Sequence, residues 1–227
     1  MSLEIFNELE QGSPEWLAAR CGIPTASVVG QLITPKTVKP AANDTSRALV
    51  MTLAAERITG YVEPVQPNRD MERGTLSEPF ARDKYAEHYA PVDEVGFMVR
   101  DFGGYRIGYS PDGLVGDDGL IEIKSPRQKK HLATILADEV PLEYMAQCQT
   151  GLLVSGREWL DFISYNGGMP LWVKRVTPDD KWQKAILEAV TGLEESAAQM
   201  LETYKTATAN LPATERIDLF GEIEITF

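Results

Sequence analysis

The chain is short of cysteine, of long apolar runs and of positive charge. Only Cys21 and Cys148 occur in 227 residues, and their separation forms no metal-ligand spacing. A disulfide framework is not expected of so few cysteines. The longest uncharged runs, 21–35 and 144–156, are interrupted by Gly, Ser, Thr, Pro or Gln. Neither can cross the ~30 Å of a bilayer core. Residues 1–11 carry three acids and no Lys or Arg, so a secretory leader is not expected. A cytoplasmic protein is the default. The 22 Lys+Arg against 34 Asp+Glu give a formal charge of −12, which on its face argues against a nucleic-acid partner.

What remains is the balance of an ordinary globular protein, 43% hydrophobic and 25% charged. The length suits a real core, and one domain over residues 1–227 is expected. The charge is unevenly spread. Residues 1–15 carry a net −4 and residues 188–227 a net −6, leaving −2 for the stretch 16–187. Within that stretch Lys124, Arg127, Lys129 and Lys130 follow one another without an acid. Arg20, Lys36, Lys39, Arg47 and Arg57 outnumber Asp44 and Glu56. Solvated helix faces explain such clusters; so does an acidic shell around a basic interior surface.

Local signals divide the chain into helices and strands. Ser13-Pro14 opens a helix ending near Gly22, and Thr25 opens a short second one. Residues 34–43 read as a mobile basic loop. A helix spans Asp44 to Thr59, a polar loop 60–70, and another helix about Leu76 to Tyr89. The period then changes: Val95–Val99 and Tyr105–Tyr109 read as strands joined by the Gly103-Gly104 turn. After a turn at 116–119 comes the strand Leu120–Lys124. Helices over 127–137 and 141–153 precede strands 158–165 and 171–176. A long amphipathic helix runs from Thr177 to about Thr206, and Ile223–Phe227 reads as an edge strand or partner-covering tail. This order specifies an α/β or α+β fold with a mixed central sheet.

The chemistry gathers around Pro111-Asp112 and Glu122-Ile123-Lys124. Alternation along a strand puts Glu122 and Lys124 on one face and Ile121 and Ile123 on the other. The turn at 116–119 folds that strand back beside Asp112. Two carboxylates and an ammonium then meet at one end of a hairpin. Hard cations such as Mg²⁺ bind one or two carboxylates together with water and phosphate oxygens. Such an ion activates water and shields phosphate charge, and Lys124 can neutralise charge on the phosphorus. The set suits phosphodiester hydrolysis, although an ordinary surface strand with an i,i+2 Glu/Lys pair reads the same way. Glu78, read as opening the helix after Gly74, is either a further site acid or a helix-start acid favoured by the macrodipole. Gln147 and Gln149 stand on an otherwise apolar helix.

Taken in order, five pieces resemble the phage lambda exonuclease family of viral recombinases, the YqaJ-type nucleases of the PD-(D/E)XK superfamily. They are Trp16-x3-Arg20 with Thr25-Ala26-Ser27, Gly74-x3-Glu78, Ser110-Pro111-Asp112-Gly113, Glu122-x-Lys124 with Pro126, and Tyr144-Met145-Ala146-Gln147-x-Gln149. The resemblance implies a restriction-endonuclease-like core whose mixed central sheet is flanked by helices. It implies that Asp112, Glu122 and the Ile123 carbonyl hold Mg²⁺, with Mn²⁺ as a substitute. Lys124 is then catalytic, Glu78 and Gln147 are further active-site residues, and Arg20, Ser27 and Ser110 receive a DNA 5′-phosphate. Asp101 is the nearest candidate for one more site acid.

The implied activity is 5′→3′ digestion of linear double-stranded DNA, releasing mononucleotides and leaving a 3′ strand for recombination. The same resemblance implies a ring of three subunits around DNA ends and a single-strand-annealing recombinase as partner. It also implies a phage or prophage source in a bacterial cytoplasm. Met71, apolar in a charged loop, is either an ordinary loop residue packed on the surface or a wedge between terminal base pairs. The rival readings are a site- or structure-specific endonuclease with the same site, and a non-catalytic DNA-binding recombination scaffold.

Overall fold

Strand β7, Gly119–Lys124, is buried along its length until Lys124. Leu120 on one face and Ile121 and Ile123 on the other are buried, as expected of a strand covered on both sides, while Glu122 and Lys124 end the first face. In the computed structural model, which describes residues 2–64, 66 and 68–217, β7 lies inside a four-stranded sheet. Strand β6 (Gly113–Val115) pairs antiparallel on one edge, and β8 (Trp159–Ser164) pairs parallel on the other. Strand β9 (Trp172–Val176) closes the order β6-β7-β8-β9, antiparallel to β8. A parallel pair needs a long crossover. Helices α5 (Gln128–Ala137) and α6 (Leu142–Ser155) supply it.

The hairpin of β4 (Phe97–Asp101) and β5 (Arg106–Tyr109) joins β1 (Leu3–Phe6) in a separate antiparallel sheet, ordered β1-β4-β5. The mixed sheet is thus present, and the hairpin read at 95–109 belongs to a second sheet. Strand β1 carries no turn signal or extended alternation of its own; pairing of Leu3–Phe6 with Phe97–Arg100 makes it a strand. The segment expected to be a mobile loop holds a ribbon of β2 (Ile33–Thr34) and β3 (Lys39–Pro40). The C-terminal strand expected at Ile223–Phe227 lies outside the described residues.

Helix starts follow their caps. Ser13 Oγ accepts from Trp16 N at 3.1 Å and opens α1 (Pro14–Arg20). Helix α2 (Ala26–Val29) is a single turn. Asn43 and Ser46 bond reciprocally and open α3 (Asp44–Thr59). Asn68 accepts from Asp70 N and Met71 N and opens α4 (Arg69–His88). This start is earlier than expected, because Gly74 and Pro79 are both carried inside the helix instead of marking its beginning. Glu78 therefore sits in the third turn of α4, beyond the reach of the helix-end dipole. Asp179 caps α7 (Asp180–Thr208), whose apolar stripe packs on α3 and α6.

The two faces of the central sheet build different cores. Leu120, Leu160 and Phe162 join the large core with α2, α3, α6 and α7. Ile121, Ile123 and Ile163 meet Ala81 and Tyr85 of α4 on the other side. On that side Tyr85 donates to Asp161 Oδ2 at 2.6 Å, and Arg175 grips the same carboxylate through Nε at 2.8 Å and Nη2 at 2.9 Å. A buried carboxylate with its acceptor positions filled in this way is tolerated.

At Gly151 helix α6 lies close against β5. A Cβ there would stand 2.7 Å from Tyr109 Cζ. Gly→Ala inside a helix ordinarily gains roughly 1 kcal/mol, whereas forcing atoms into a packed core costs about 1–3 kcal/mol. Gly151→Ala is expected to lower the urea midpoint rather than raise it. An unchanged or higher midpoint would show that the Tyr109 ring yields freely.

Candidate active site

The hairpin geometry expected from the strand alternation is present. Asp112 directly precedes β6, and its Oδ2 accepts from Ile123 N at 2.5 Å. Glu122, only 1% exposed, faces away from Ile121 and Ile123. Its Oε1 accepts from Lys124 Nζ at 2.6 Å and from Gln147 Nε2, and its Oε2 accepts from Tyr109 OH at 3.1 Å. Three elements thus converge on one carboxylate: β7, α6 and β5. Glu78 comes from α4 and is bonded by Arg82, one helical turn farther along.

The backbone adds a further oxygen. Lys124 O accepts from Tyr165 N on the β8 side at 2.9 Å. Successive strand residues point their carbonyls to opposite edges. The Ile123 carbonyl therefore faces the β6 edge, beyond the last paired residue of β6 and on the side of Asp112.

Charge is crowded here. Burial lifts the Asp112 carboxyl well above the usual carboxylate range, and the neighbouring Glu122 lifts it further, against the pull of Lys124. Glu78 is raised by burial, with Arg82 opposing. Burial works to discharge Lys124, but the Glu122 and Asp112 carboxylates outweigh it and hold the amine above its ordinary value. Tyr109 is raised by burial and remains a hydroxyl donor.

Carboxylates in such a group are relieved by a cation. Among the described residues no group of three or more His, Cys, Asp or Glu is placed to hold a metal. The donors on offer are two carboxylates and a main-chain carbonyl, all hard oxygens, leaving other positions to water or phosphate. That set fits Mg²⁺ or Mn²⁺ and does not suit a softer ion.

A second group stands at the same opening. Trp16 Nε1 donates to Ser110 Oγ at 2.9 Å, and the Arg20 guanidinium lies 4.5 Å from the Trp16 ring centroid. Arg20 Nη2 reaches Thr25 Oγ1 at 3.4 Å, which is 3.1 Å from Ser27 Oγ. A bridge between Thr25 and Gly108 ties this turn to β5, and β5 runs directly into Ser110. Among the described residues Arg20 has no ion-pair partner within 4.0 Å. Burial lowers its pKa, with Glu56 opposing, yet a guanidinium stays charged. One arginine fork and two hydroxyls are in place for a small oxyanion.

Both groups line one cleft of about 990 Å³. Its walls include Glu78, Asp112, Glu122, Ile123, Lys124 and Gln147. Arg20, Ser27 and Ser110 line it too. Every residue singled out for the site thus reaches it except Asp101 and Gln149, which is buried and bonded to Thr177 O and Asp179 N. Asp101 Oδ1 instead accepts from Gly103 N at 2.6 Å, shaping the β4–β5 turn away from the cleft. Of the basic residues in the stretch 20–60, only Arg20 lines the cleft. Arg57 is held by Glu194, with both bonds at 2.7 Å, and Arg47 by Asp44. The 124–130 cluster does line it, and Arg73 joins from α4. Altogether six basic side chains face four acids. Met71, half exposed in the first turn of α4 rather than in a loop, also lines this cleft.

Sequence reasoning missed Tyr109 and Arg82. Tyr109 immediately precedes Ser110 but reads as a core residue, and nothing local tells that its hydroxyl meets Glu122. Arg82 carried one signal, its i,i+4 spacing from Glu78 on a helix.

The YqaJ-like viral recombinase domain matches residues 15–158, the span that contains the cleft residues other than Gln11. The alkaline exonuclease LHK-Exo from Laribacter hongkongensis is 35% identical, with 88% of this chain and 100% of that one covered and a TM-score of 0.78. Its structure in complex with dAMP gives 35% identity over the same shares and a TM-score of 0.77. A phage related exonuclease from Haemophilus somnus 129PT shares the fold at 15% identity, with 80% of this chain and 96% of that one covered and a TM-score of 0.61. A search of curated proteins found no match. The mixed α/β fold is that of these lambda-exonuclease-like nucleases, consistent with a PD-(D/E)XK-like core. With a domain match over more than half its length and a relative of this identity, the chain belongs to the family of YqaJ-like viral recombinase domains.

Proposed function

We propose that this chain is a DNA nuclease, and more narrowly an Mg²⁺-dependent 5′→3′ exonuclease of linear double-stranded DNA. The observation that carries the narrower reading is the shared cleft. The hydrolytic set at Asp112, Glu122 and Lys124 and the oxyanion-binding set at Arg20, Ser27 and Ser110 open into the same space. A site that holds a terminal phosphate beside the cutting centre selects ends. Family membership supports the nuclease reading, and the alkaline exonuclease relative with its dAMP complex supports mononucleotide release.

Mg²⁺ held by Asp112, Glu122 and the Ile123 carbonyl would supply a Lewis acid and an activated water. The chain's own groups do the rest. Lys124, kept as an ammonium by its carboxylate neighbours, donates to a phosphoryl oxygen and offsets charge as water attacks the phosphorus. Gln147 and Tyr109 fix the orientation of Glu122. Arg20, with the hydroxyls of Ser27 and Ser110, receives the 5′-phosphate and sets which phosphodiester reaches the centre. Arg73 and Arg127, which share Asp70, Lys130, which pairs with Glu143, and Lys129 offer a basic track along the same cleft for the backbone. A three-subunit ring and a strand-annealing partner belong to this proposal, and a mass measurement in solution tests the ring.

Linear 5′-phosphorylated duplex should be digested to mononucleotides with Mg²⁺ and left intact with EDTA, while closed circular duplex survives both. Cleavage of the circle would favour the endonuclease reading instead. Lys124→Ala should reduce turnover on the order of 10²–10³-fold while gel-shift affinity for duplex persists; normal digestion by that variant would discard the mechanism. Arg20→Ala should reduce the preference for 5′-phosphate over 5′-hydroxyl ends by about 10–100-fold, read as a ratio of initial rates. Met71→Ala should slow the digestion of blunt duplex, and an equal rate would remove the wedge role.

A further inference from the structure

Arg82 does not line the cleft, yet it holds the cleft together from behind. Its side chain is 14% exposed. One terminal nitrogen donates to Glu78 Oε1, and Nε donates to the main-chain carbonyl of Asp112 at 2.9 Å. The other terminal nitrogen pairs with Glu94 Oε2 at 2.8 Å. A single planar fork thus ties α4 to the residue entering β6 and to the segment before β4. Each of the three guanidinium nitrogens thus has a protein partner.

The contacts answer two physical problems. Burial and the Glu122 charge both disfavour the Glu78 carboxylate, and the Arg82 cation bonded to it opposes them. Asp112 must present Oδ2 to Ile123 N, and that depends on the main chain at Asp112 being fixed. A bond to the Asp112 carbonyl fixes it. Lysine cannot replace this arrangement, because an ammonium on a flexible stem lacks the rigid three-way fork.

We propose that Arg82 is a positioning residue for the nuclease reaction, orienting Glu78 and the Asp112 main chain from outside the cleft. The assignment rests on the nuclease reading above. It acts through other residues and leaves DNA binding alone.

The test compares the wild type with Arg82→Ala, Arg82→Lys, Glu78→Gln and the double variant Arg82→Ala/Glu78→Gln on linear duplex with Mg²⁺. Arg82→Ala should lower kcat about 10–100-fold, with KM and duplex affinity in EDTA changed by less than about twofold, since Arg82 touches no substrate. Arg82→Lys should recover only a minor part of kcat. In the Glu78→Gln background, removal of Arg82 should cost only a few-fold, the non-additivity expected of coupled groups. Equal losses in both backgrounds, or full activity of Arg82→Ala, would overturn the assignment. If Arg82→Ala does not fold, Arg82→Lys takes its place in the cycle with the same criterion. A wild type inactive on every DNA tested would overturn the nuclease reading itself, whereas an active wild type with additive variants overturns Arg82 alone.

Discussion

The buried carboxylate of Glu122 is the constraint on which the rest of the site depends. Removing a carboxylate from water costs several kcal/mol unless its oxygens are satisfied. Here the donors arrive from three separate elements: Tyr109 from β5, Lys124 from β7 and Gln147 from α6. None can move far without leaving an uncompensated charge. The crossover α5–α6, the close approach of α6 to β5 at Gly151, and the burial of β7 between two cores are therefore parts of one requirement. They hold three donors around one acid.

The same packing sets the reach of the cleft. The separate β1-β4-β5 sheet ends at Tyr109, so its last residues deliver Tyr109 to Glu122 and Ser110 to Trp16. Pairing of Thr25 with Gly108 brings α1 and α2 to that end. Hence the two halves of the cleft are not independently placed. A shift of β5 would disturb both the acid and the Ser110 hydroxyl bonded by Trp16. On the opposite side, α4 carries Glu78 and Arg82 against β6 and β7, which closes the wall.

Electrostatics follows the fold rather than the composition. The total of −12 says little about the cleft, where six basic side chains face four acids. Two of those acids, Asp112 and Glu122, crowd together in a way that favours an added cation. Within the 20–60 stretch Arg57 serves structure, binding Glu194 and the Gly22 carbonyl across α3 and α7. Charge runs in a sequence thus separate into surface pairs and functional lining only after their partners are known.

Local chemistry by itself determined the caps at Ser13, the turns, the alternation of β7 and the grouping of Glu122 with Lys124. These depend on neighbours within a few residues, where side-chain periodicity and capping decide the outcome. The resemblance carried Arg20, Ser27, Glu78 and Gln147 to a common site on motif order. The start of α4 at Arg69, capped by Asn68, and the turning of Asp101 toward Gly103 N are local as well, whereas only the tertiary structure made β1 a strand. It alone joined Tyr109 to Glu122 and Arg82 to the Asp112 main chain. Those outcomes rest on contacts between segments far apart in the chain, such as Leu3 with Arg100 and Arg82 with Asp112. A pattern read along the chain records which face a side chain takes, but not which distant group will meet it there.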